Sequence, residues 1–325
     1  IALLGFIFAV PMMCLILAFI IFLPVAKDLS EKHGFPKGLT EVALALATMA
    51  SFGLLYPSPG IYAFVNEMHI RALDVLLMGA AIAIVVFFVG YLYASRYYNF
   101  SIHADSSANM VKSEREMRIF TYRTASYIPI LVLIILIMIR LITNIPLVEL
   151  IGHESIALFS GAIIAMTLST RYFPSSDIRA WVDKGIRRSG LVLLDICGGG
   201  ALGASLAMAG VGQALGDMLL ESSIPALLVP FLIAAAVQTV QGSRMVTLFI
   251  ASALVIPIMP ELGLPAIIVL FSMASGTFLI SHFNDPYFWI LADFAEMESP
   301  EVLKTYTVGG AIMGVTSLIV TGMIY

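Results

Sequence analysis

Long apolar runs alternate with short polar, proline-rich or glycine-rich interruptions from one end of the chain to the other. A helix that crosses a bilayer needs about 20 mostly apolar residues. Ten stretches approach that length: 1–26, 39–55, 73–95, 127–144, 153–170, 190–209, 224–240, 245–260, 264–281 and 305–325. The pattern predicts an all-α integral membrane protein. Several runs hold only 15–18 residues and many carry internal Pro or Gly, so broken helices are expected among them.

Non-helical backbone at membrane depth survives only against protein or a water-filled cavity. Four interruptions are candidates for such breaks: YPSPG (56–60), CGGGALG (197–203), TVQGSRM (239–245) and HFNDP (282–286). Pro57 and Pro59 hold the first extended around Ser58. The three glycines of the second permit a hairpin turn within 193–210, with bare N–H groups at Gly199 and Gly200 for a ligand. Pro286 cannot donate to the His282 carbonyl and is expected to free it. Half-helix N-termini favour a carboxylate, and freed carbonyls favour a hydroxyl or a cation. Paired breaks at the bilayer midplane therefore suit a small, anionic, polar solute.

Two hydrophilic stretches divide the apolar pattern. Residues 96–126 carry five Lys or Arg against three Asp or Glu, and 171–189 carry five against two. Two spans separate them, so both lie on one side, which the positive-inside rule makes cytoplasmic. The loop 27–38, with three lysines, agrees in parity. IIFLPVA (20–26) followed by GLLYPSPGIYAFV (53–65) is echoed by LVIPIMP (254–260) followed by LISHFNDPYFWIL (279–291). This weak repetition is that of a transporter built from two related halves. The glycine-rich hairpin of the second half has no counterpart in the first, and the chain opens inside an apolar run without an initiator Met, so a first hairpin is expected to be missing. The organisation expected is 1–95, the remainder of the first repeat; 96–126, a cytoplasmic linker; 127–188, scaffold helices opening the second repeat and the basic loop; and 189–325, the second-repeat hairpin, broken helices and last span.

Composition agrees with the pattern. The 325 residues are 60% hydrophobic and 12% charged, against about 45–50% and about 25% in soluble domains. The net charge of −4 is small and says nothing about nucleic acid, and no nucleic-acid partner is expected. Cys14 and Cys197 both lie in apolar runs, without the spacing of a disulfide framework or a metal site.

Asp285, flanked by apolar runs, reads as an intramembrane carboxylate rather than a surface one. Burial disfavours its charged form, which makes it a proton carrier. His282 shares the proton or simply packs. Ser281 and Asn284 donate and accept without charge, as sugar hydroxyls require. Arg244, beside Gln241, Gly242 and Ser243, is either a snorkelling interfacial arginine or a forked partner for a carboxylate. Arg140 reads as snorkelling. Gln238 and Gln241 have the spacing to face one cavity, and Tyr287, Phe288 and Trp289 read as an interfacial belt or a site wall.

The blocks GGGALGASLAMAGVGQALGDML, VQGSRMVTLFIASALVIPIM, SHFNDPYFWIL and LKTYTVGGAIMGVTSLI resemble the gluconate:proton symporter (gluconate permease) family. The carrying positions are Gly198–Gly200, Val211–Leu215, Gln241–Ser243, Ser281–Trp289 and Lys304–Thr307. The resemblance is strongest from about residue 190 to the end and thinner in the first half, where PSPG is similar to a PPHPGP-like motif. It implies an ion-transporter-superfamily fold: an inverted-repeat secondary transporter with a re-entrant hairpin and broken helices in each repeat. It also implies a homodimer in the inner or plasma membrane that moves sugar acids with protons by an elevator movement. By position, Gln241, Gly242, Ser243, Ser281, His282, Asn284 and Asp285 would line the site. The chain departs from the family pattern at Arg244, where a small residue is usual, at PMMC (11–14), where an aspartate is common, and at SFGLLYPSPG, where histidines occur. These departures point to a changed substrate or coupling ion.

The leading expectation is proton-coupled symport of a small sugar acid or hydroxy-carboxylate, with no cofactor and with sodium as the alternative ion. Substrate contacts are expected from Ser58, Gly199, Gly200, Gln241, Gly242, Ser243, Arg244, Ser281 and Asn284, and proton coupling from Asp285 and His282, with no metal site. A cation/proton antiporter or channel would use the same breaks and show sodium-driven proton flux without an organic solute. An intramembrane hydrolase is the remote alternative, since neither HExxH nor a GxSG-type nucleophile motif occurs.

Overall fold

The computed structural model describes residues 1–36, 38–101, 128–142, 145–221 and 224–325, and among these there is no β-strand. The chain is all-helical and divides into two compact units, Ile1–Ser106 with Asp195–Tyr325, and Ser107–Leu194. Most of the linker expected at 96–126 lies outside the described residues; residues 96–101 complete a helix.

In the smaller unit, α6 (Ile128–Ile142) packs along α8 (Glu154–Ser169) through Leu133, Ile137 and Ala157, with α7 (Pro146–Ile151) between them in sequence. The basic stretch 171–189 is not the predicted loop. Helix α9 (Ser175–Met208) starts within it, just after Pro174, with Asp177 in its first turn. Past Pro174 the stretch has no proline, and an acidic residue near a helix N-terminus offsets the partial positive charge there.

The larger unit opens with α1 (Ala2–Ala9) and α2 (Leu15–His33). The predicted single span 1–26 is thus two helices: Pro11 lacks an N–H, and Met13 adopts a left-handed φ of 50°. Helix α2 also takes in half of the predicted loop 27–38, ending where Gly34 (φ 66°) turns the chain and the Gly34 and Phe35 N–H groups reach the Ser30 carbonyl. Next come α3 (Leu39–Leu54), α4 (Pro59–Glu67) and α5 (Ala72–Ser101). After α9, the unit continues through α10 (Val211–Glu221), α11 (Leu228–Gln241), α12 (Arg244–Val255), a 3-10 turn and short α13 (Met259–Leu262), α14 (Ala266–Gly276), α15 (Pro286–Ala295) and α16 (Ser299–Val302). A π-helical turn, Leu303–Thr307, leads into α17 (Val308–Ile324).

Helix α3 is buried almost all round, with α1 and α5 against it; α14 likewise lies between α11 and α17. Small residues bring these axes close: a Cβ at Gly276 would sit 2.3 Å from the Phe231 carbonyl oxygen. Such crossings, with hydrogen bonds such as Ser275 Oγ to Ser317 Oγ at 2.7 Å, hold helices together where lipid supplies no hydrophobic drive. Helix α5 presents Leu77, Ile84, Phe88 and Leu92 outward. Among the described residues, four helical stretches, Leu39–Glu67, Ala72–Tyr98, Arg244–Leu262 and Ser299–Ile324, are long and apolar enough to cross a membrane.

The glycine triplet does not break its helix. Helix α9 runs through 197–203 to Met208, and the turn falls at Ala209–Gly210, where Gly210 has φ 74°. Gly199 instead lets α9 lie against α12, since a Cβ there would meet Val246 Cγ1 at 2.2 Å.

Candidate functional site

Two of the predicted breaks are locked to each other. Helix α11 ends at Gln241, and Gly242 (φ 80°, ψ −34°) turns the chain so that α12 restarts at Arg244. The other break reaches the carbonyls at the end of α11: Asn284 Nδ2 donates to Thr239 O at 2.7 Å and, at 3.3 Å, to Gln238 O, which also accepts from the Gly242 N–H at 2.9 Å. Gln238 Nε2 donates to the Gly242 carbonyl at 2.5 Å. Only glycine fits at 242, because a Cβ would lie 2.3 Å from the Asn284 carbonyl oxygen.

In the other broken segment, α14 stops at Gly276 and α15 begins at Pro286. Asp285 caps it, its Oδ1 accepting from the Tyr287 N–H at 2.9 Å. The His282 carbonyl is not freed as predicted: the Asp285 N–H donates to it at 2.9 Å. The missing donor of Pro286 falls at the first position of a helix, where no partner is needed.

Arg244 and Asp285 form a buried ion pair, each residue 3% exposed, with Nη1 3.1 Å from Oδ2. This rules out the snorkelling alternative. Nη2 donates to Ser281 Oγ at 2.6 Å and approaches Met49 Sδ at 3.0 Å, and the guanidinium lies over the rings of Tyr306 and Phe278 at 5.6 and 5.7 Å. Tyr306 donates its O–H to Asp285 Oδ2 at 2.7 Å. It sits in the π-helical turn, whose Thr307 Oγ1 donates to the Ser281 carbonyl. Tyr287 is tied to Thr48 of α3 through their hydroxyls at 2.8 Å, and Thr48 donates onward to Ala45 O. A buried charge pair is tolerable only with such further hydrogen bonds and cation–π contacts.

Not every polar group is so satisfied. Near these two breaks, five buried atoms have no hydrogen-bond partner among the described residues: Arg244 Nε, Ser58 Oγ, Thr247 Oγ1, Gln238 Oε1 and Asn284 Oδ1. Ser58 precedes α4, whose Gly60 lies against Leu248 of α12. Neither α4 nor α12 has a side-chain cap at its N-terminus. An unpaired buried polar group costs about 1–3 kcal/mol, so a polar ligand that reached these atoms would be held by them.

The structure thus brings Gln241, Gly242, Ser243, Arg244, Ser281, Asn284 and Asp285 together and puts buried Ser58 just before α4, a helix packed against α12. His282 is half-buried beside Phe283. Gly199 and Gly200 stand inside α9, so their N–H groups belong to the helix rather than to a break. The sequence reading did not place Thr48, Met49, Thr247 or Tyr306 here. LKTYT was a visible motif, yet nothing local shows that a π-helical turn aims Tyr306 at Asp285. A separate open cavity of 360 Å³, lined by Lys27, Ser30, Glu41, Glu296 and Glu301 among others, lies near the other end of α15 from Asp285. Among the described residues no group of three or more His, Cys, Asp or Glu is placed to hold a metal ion.

Comparison with known proteins bears on this arrangement. The profile of the family described as GntP family permease matches residues 1–325. The low-affinity gluconate transporter of Escherichia coli K12 is 33% identical over 54% of this chain and 40% of its own length. An uncharacterized permease of Haemophilus influenzae is 27% identical over 84% of the chain and 61% of its own length. The high-affinity gluconate transporter of Escherichia coli K12 is 26% identical over 93% of the chain and 71% of its own length. The chain therefore spans less than two thirds of the length of the first two. No solved structure matches.

Proposed function

The chain belongs to the GntP permease family, a multi-pass protein of the cell membrane, and from that premise we propose that it carries a gluconate-like sugar acid together with protons. The observation that carries this reading is the set of unpartnered buried atoms. Arg244 Nε is a charged donor without an acceptor, next to the uncapped N-terminus of α12. A carboxylate satisfies both. Gln238 Oε1 and Asn284 Oδ1 are acceptors without donors, and Ser58 and Thr247 hydroxyls can serve either way. A chain of hydroxyls behind one carboxylate supplies all of these partners, whereas a bare monocarboxylate leaves the amide oxygens unpaired and a metal cation leaves Arg244 Nε so. The printed names of the relatives as gluconate transporters support the same solute class.

Parallel packing in the two halves, α1–α3–α5 and α11–α14–α17, supports the repeat expected of such carriers. That the site residues all fall within one compact unit is compatible with an elevator movement, which otherwise rests, like the homodimer, on the family resemblance. The test is uptake of labelled gluconate into proteoliposomes holding the full-length protein. An inward proton gradient is expected to drive accumulation, a sodium gradient is not, and Arg244→Gln is expected to abolish it. Uptake that survives Arg244→Gln, or no uptake of gluconate and related sugar acids, would sink the reading.

A further inference from the structure

We propose that Asp285 is an internal stand-in for the solute's carboxylate: it holds Arg244 while the site is empty, and the proton that it gains when displaced is the proton carried with the solute. The inference rests on the sugar-acid reading above and adds a mechanism and a stoichiometry to it.

The pair Arg244–Asp285 is neutral as it stands, and both members are buried. Two of the guanidinium's nitrogens are already engaged, Nη1 by Asp285 and Nη2 by Ser281 and Met49, and only Nε lacks an acceptor. A guanidinium offers two forks, Nε with Nη2 and Nη1 with Nη2; the second is the one held by Asp285 and Ser281, and a solute carboxylate that takes it replaces Asp285 on Nη1. That would leave two carboxylates beside one cation in a dry site, where the extra charge is far too costly to retain. One proton resolves it: the solute anion and a proton enter, the Arg244–Asp285 contact breaks, the Arg244–solute contact forms, and Asp285 is left as a neutral acid. Charge in the site is zero before and after. Asp285 keeps a place to go, since the Tyr306 hydroxyl and the Tyr287 N–H both remain with it.

The groups around Asp285 leave few other acceptors for that proton. Helix α12 presents Arg244, the π-helical turn Tyr306 and α15 Tyr287, while α3 presents Thr48 and Met49, neither titratable. Cys14, at the start of α2, interacts with Tyr287. His282 is the remaining rival, half-buried on the same loop.

Calorimetry of gluconate binding to the full-length protein, in two buffers of different ionisation enthalpy, reads the proton directly. The wild type is expected to take up about one proton per gluconate, with affinity falling about tenfold per pH unit above neutrality. Gluconate itself does not titrate there, being a carboxylate with a pKa near 4. Asp285→Asn is expected to bind without proton uptake and with affinity nearly flat in pH, and His282→Gln to keep the uptake. Should the Asn variant not fold, Tyr306→Phe takes its place. Losing the hydroxyl that stabilises ionised Asp285 is expected to raise affinity at neutral pH by about tenfold, and an unchanged affinity would count against the idea. Wild-type binding with no proton uptake, or uptake lost in His282→Gln but kept in Asp285→Asn, overturns the stand-in role alone. Failure of the wild type to bind any sugar acid overturns the functional reading beneath it.

Discussion

Three consecutive glycines at 198–200 pass through the middle of α9 without interrupting it, whereas the single Gly242 ends α11 and starts the site. Glycine permits a break without causing one. What decides is whether something meets the backbone groups that a break releases. At 242 the second broken segment supplies it: Asn284 donates to the Thr239 carbonyl and reinforces that of Gln238, while Gln238 Nε2 donates to that of Gly242. Around 198–200 the glycines serve approach instead, Gly199 receiving Val246 of α12. In a membrane the unbroken helix is the default because it satisfies its own backbone.

The sharpest way to break this comparison is Gly242→Ala. The residue would take φ 80° with its Cβ 2.3 Å from Asn284 O and 2.9 Å from Asp285 N, both backbone atoms that cannot swing aside. Left-handed strain plus that clash is expected to cost more than about 3 kcal/mol. The yield of monodisperse protein in detergent should collapse, while an equivalent substitution in the triplet should not do so. Next in size is Asn284→Ala, which strips the side-chain donor from the Thr239 carbonyl and one of two donors from that of Gln238. A loss of about 2 kcal/mol is expected in unfolding by denaturing detergent, and Asn284→Asp should do worse, since it aims an acceptor at those carbonyls. If Asn284→Ala is silent, the break does not depend on its cap and the contrast with 198–200 has another cause.

The same contrast marks what was legible in the sequence. Apolar runs gave the all-helical membrane architecture, and QGSR and SHFNDP gave a pair of polar breaks because charged and amide residues have no other reason to interrupt such runs. The ion pair joining them was only half visible. Arg244 and Asp285 each stood out, but they are 41 residues apart and their meeting is set by how α11, α12 and α14 pack. GGG misled because three glycines look the same whether they line a turn or a helix crossing. The supporting residues Thr48, Met49 and Tyr306 carry no local mark, since a threonine, a methionine or a tyrosine in an apolar helix is ordinary until a partner arrives from elsewhere.

Within the triplet the two neighbouring glycines should part company. Gly199→Ala drives a Cβ to 2.2 Å from Val246 Cγ1. Valine is stiff at χ1 in a helix, so α9 and α12 must separate, at an expected cost of about 1–2 kcal/mol. Combining it with Val246→Ala should recover most of that loss, and a double-mutant cycle reads the coupling.

Gly200→Ala is the smallest effect and the most discriminating. A Cβ there meets nothing within 4 Å, and the position is helical. If α9 is an unbroken helix through this point, alanine should stabilise the protein by about 0.5–1 kcal/mol, through the conformational freedom that glycine loses on folding. If the triplet were instead a turn whose bare N–H groups held a solute, alanine would crowd the ligand and weaken gluconate binding while gaining no stability. The two outcomes differ in sign on one measurement and in presence on the other. A detergent-unfolding midpoint and a gluconate titration on this single variant therefore decide whether the triplet belongs to packing or to the site.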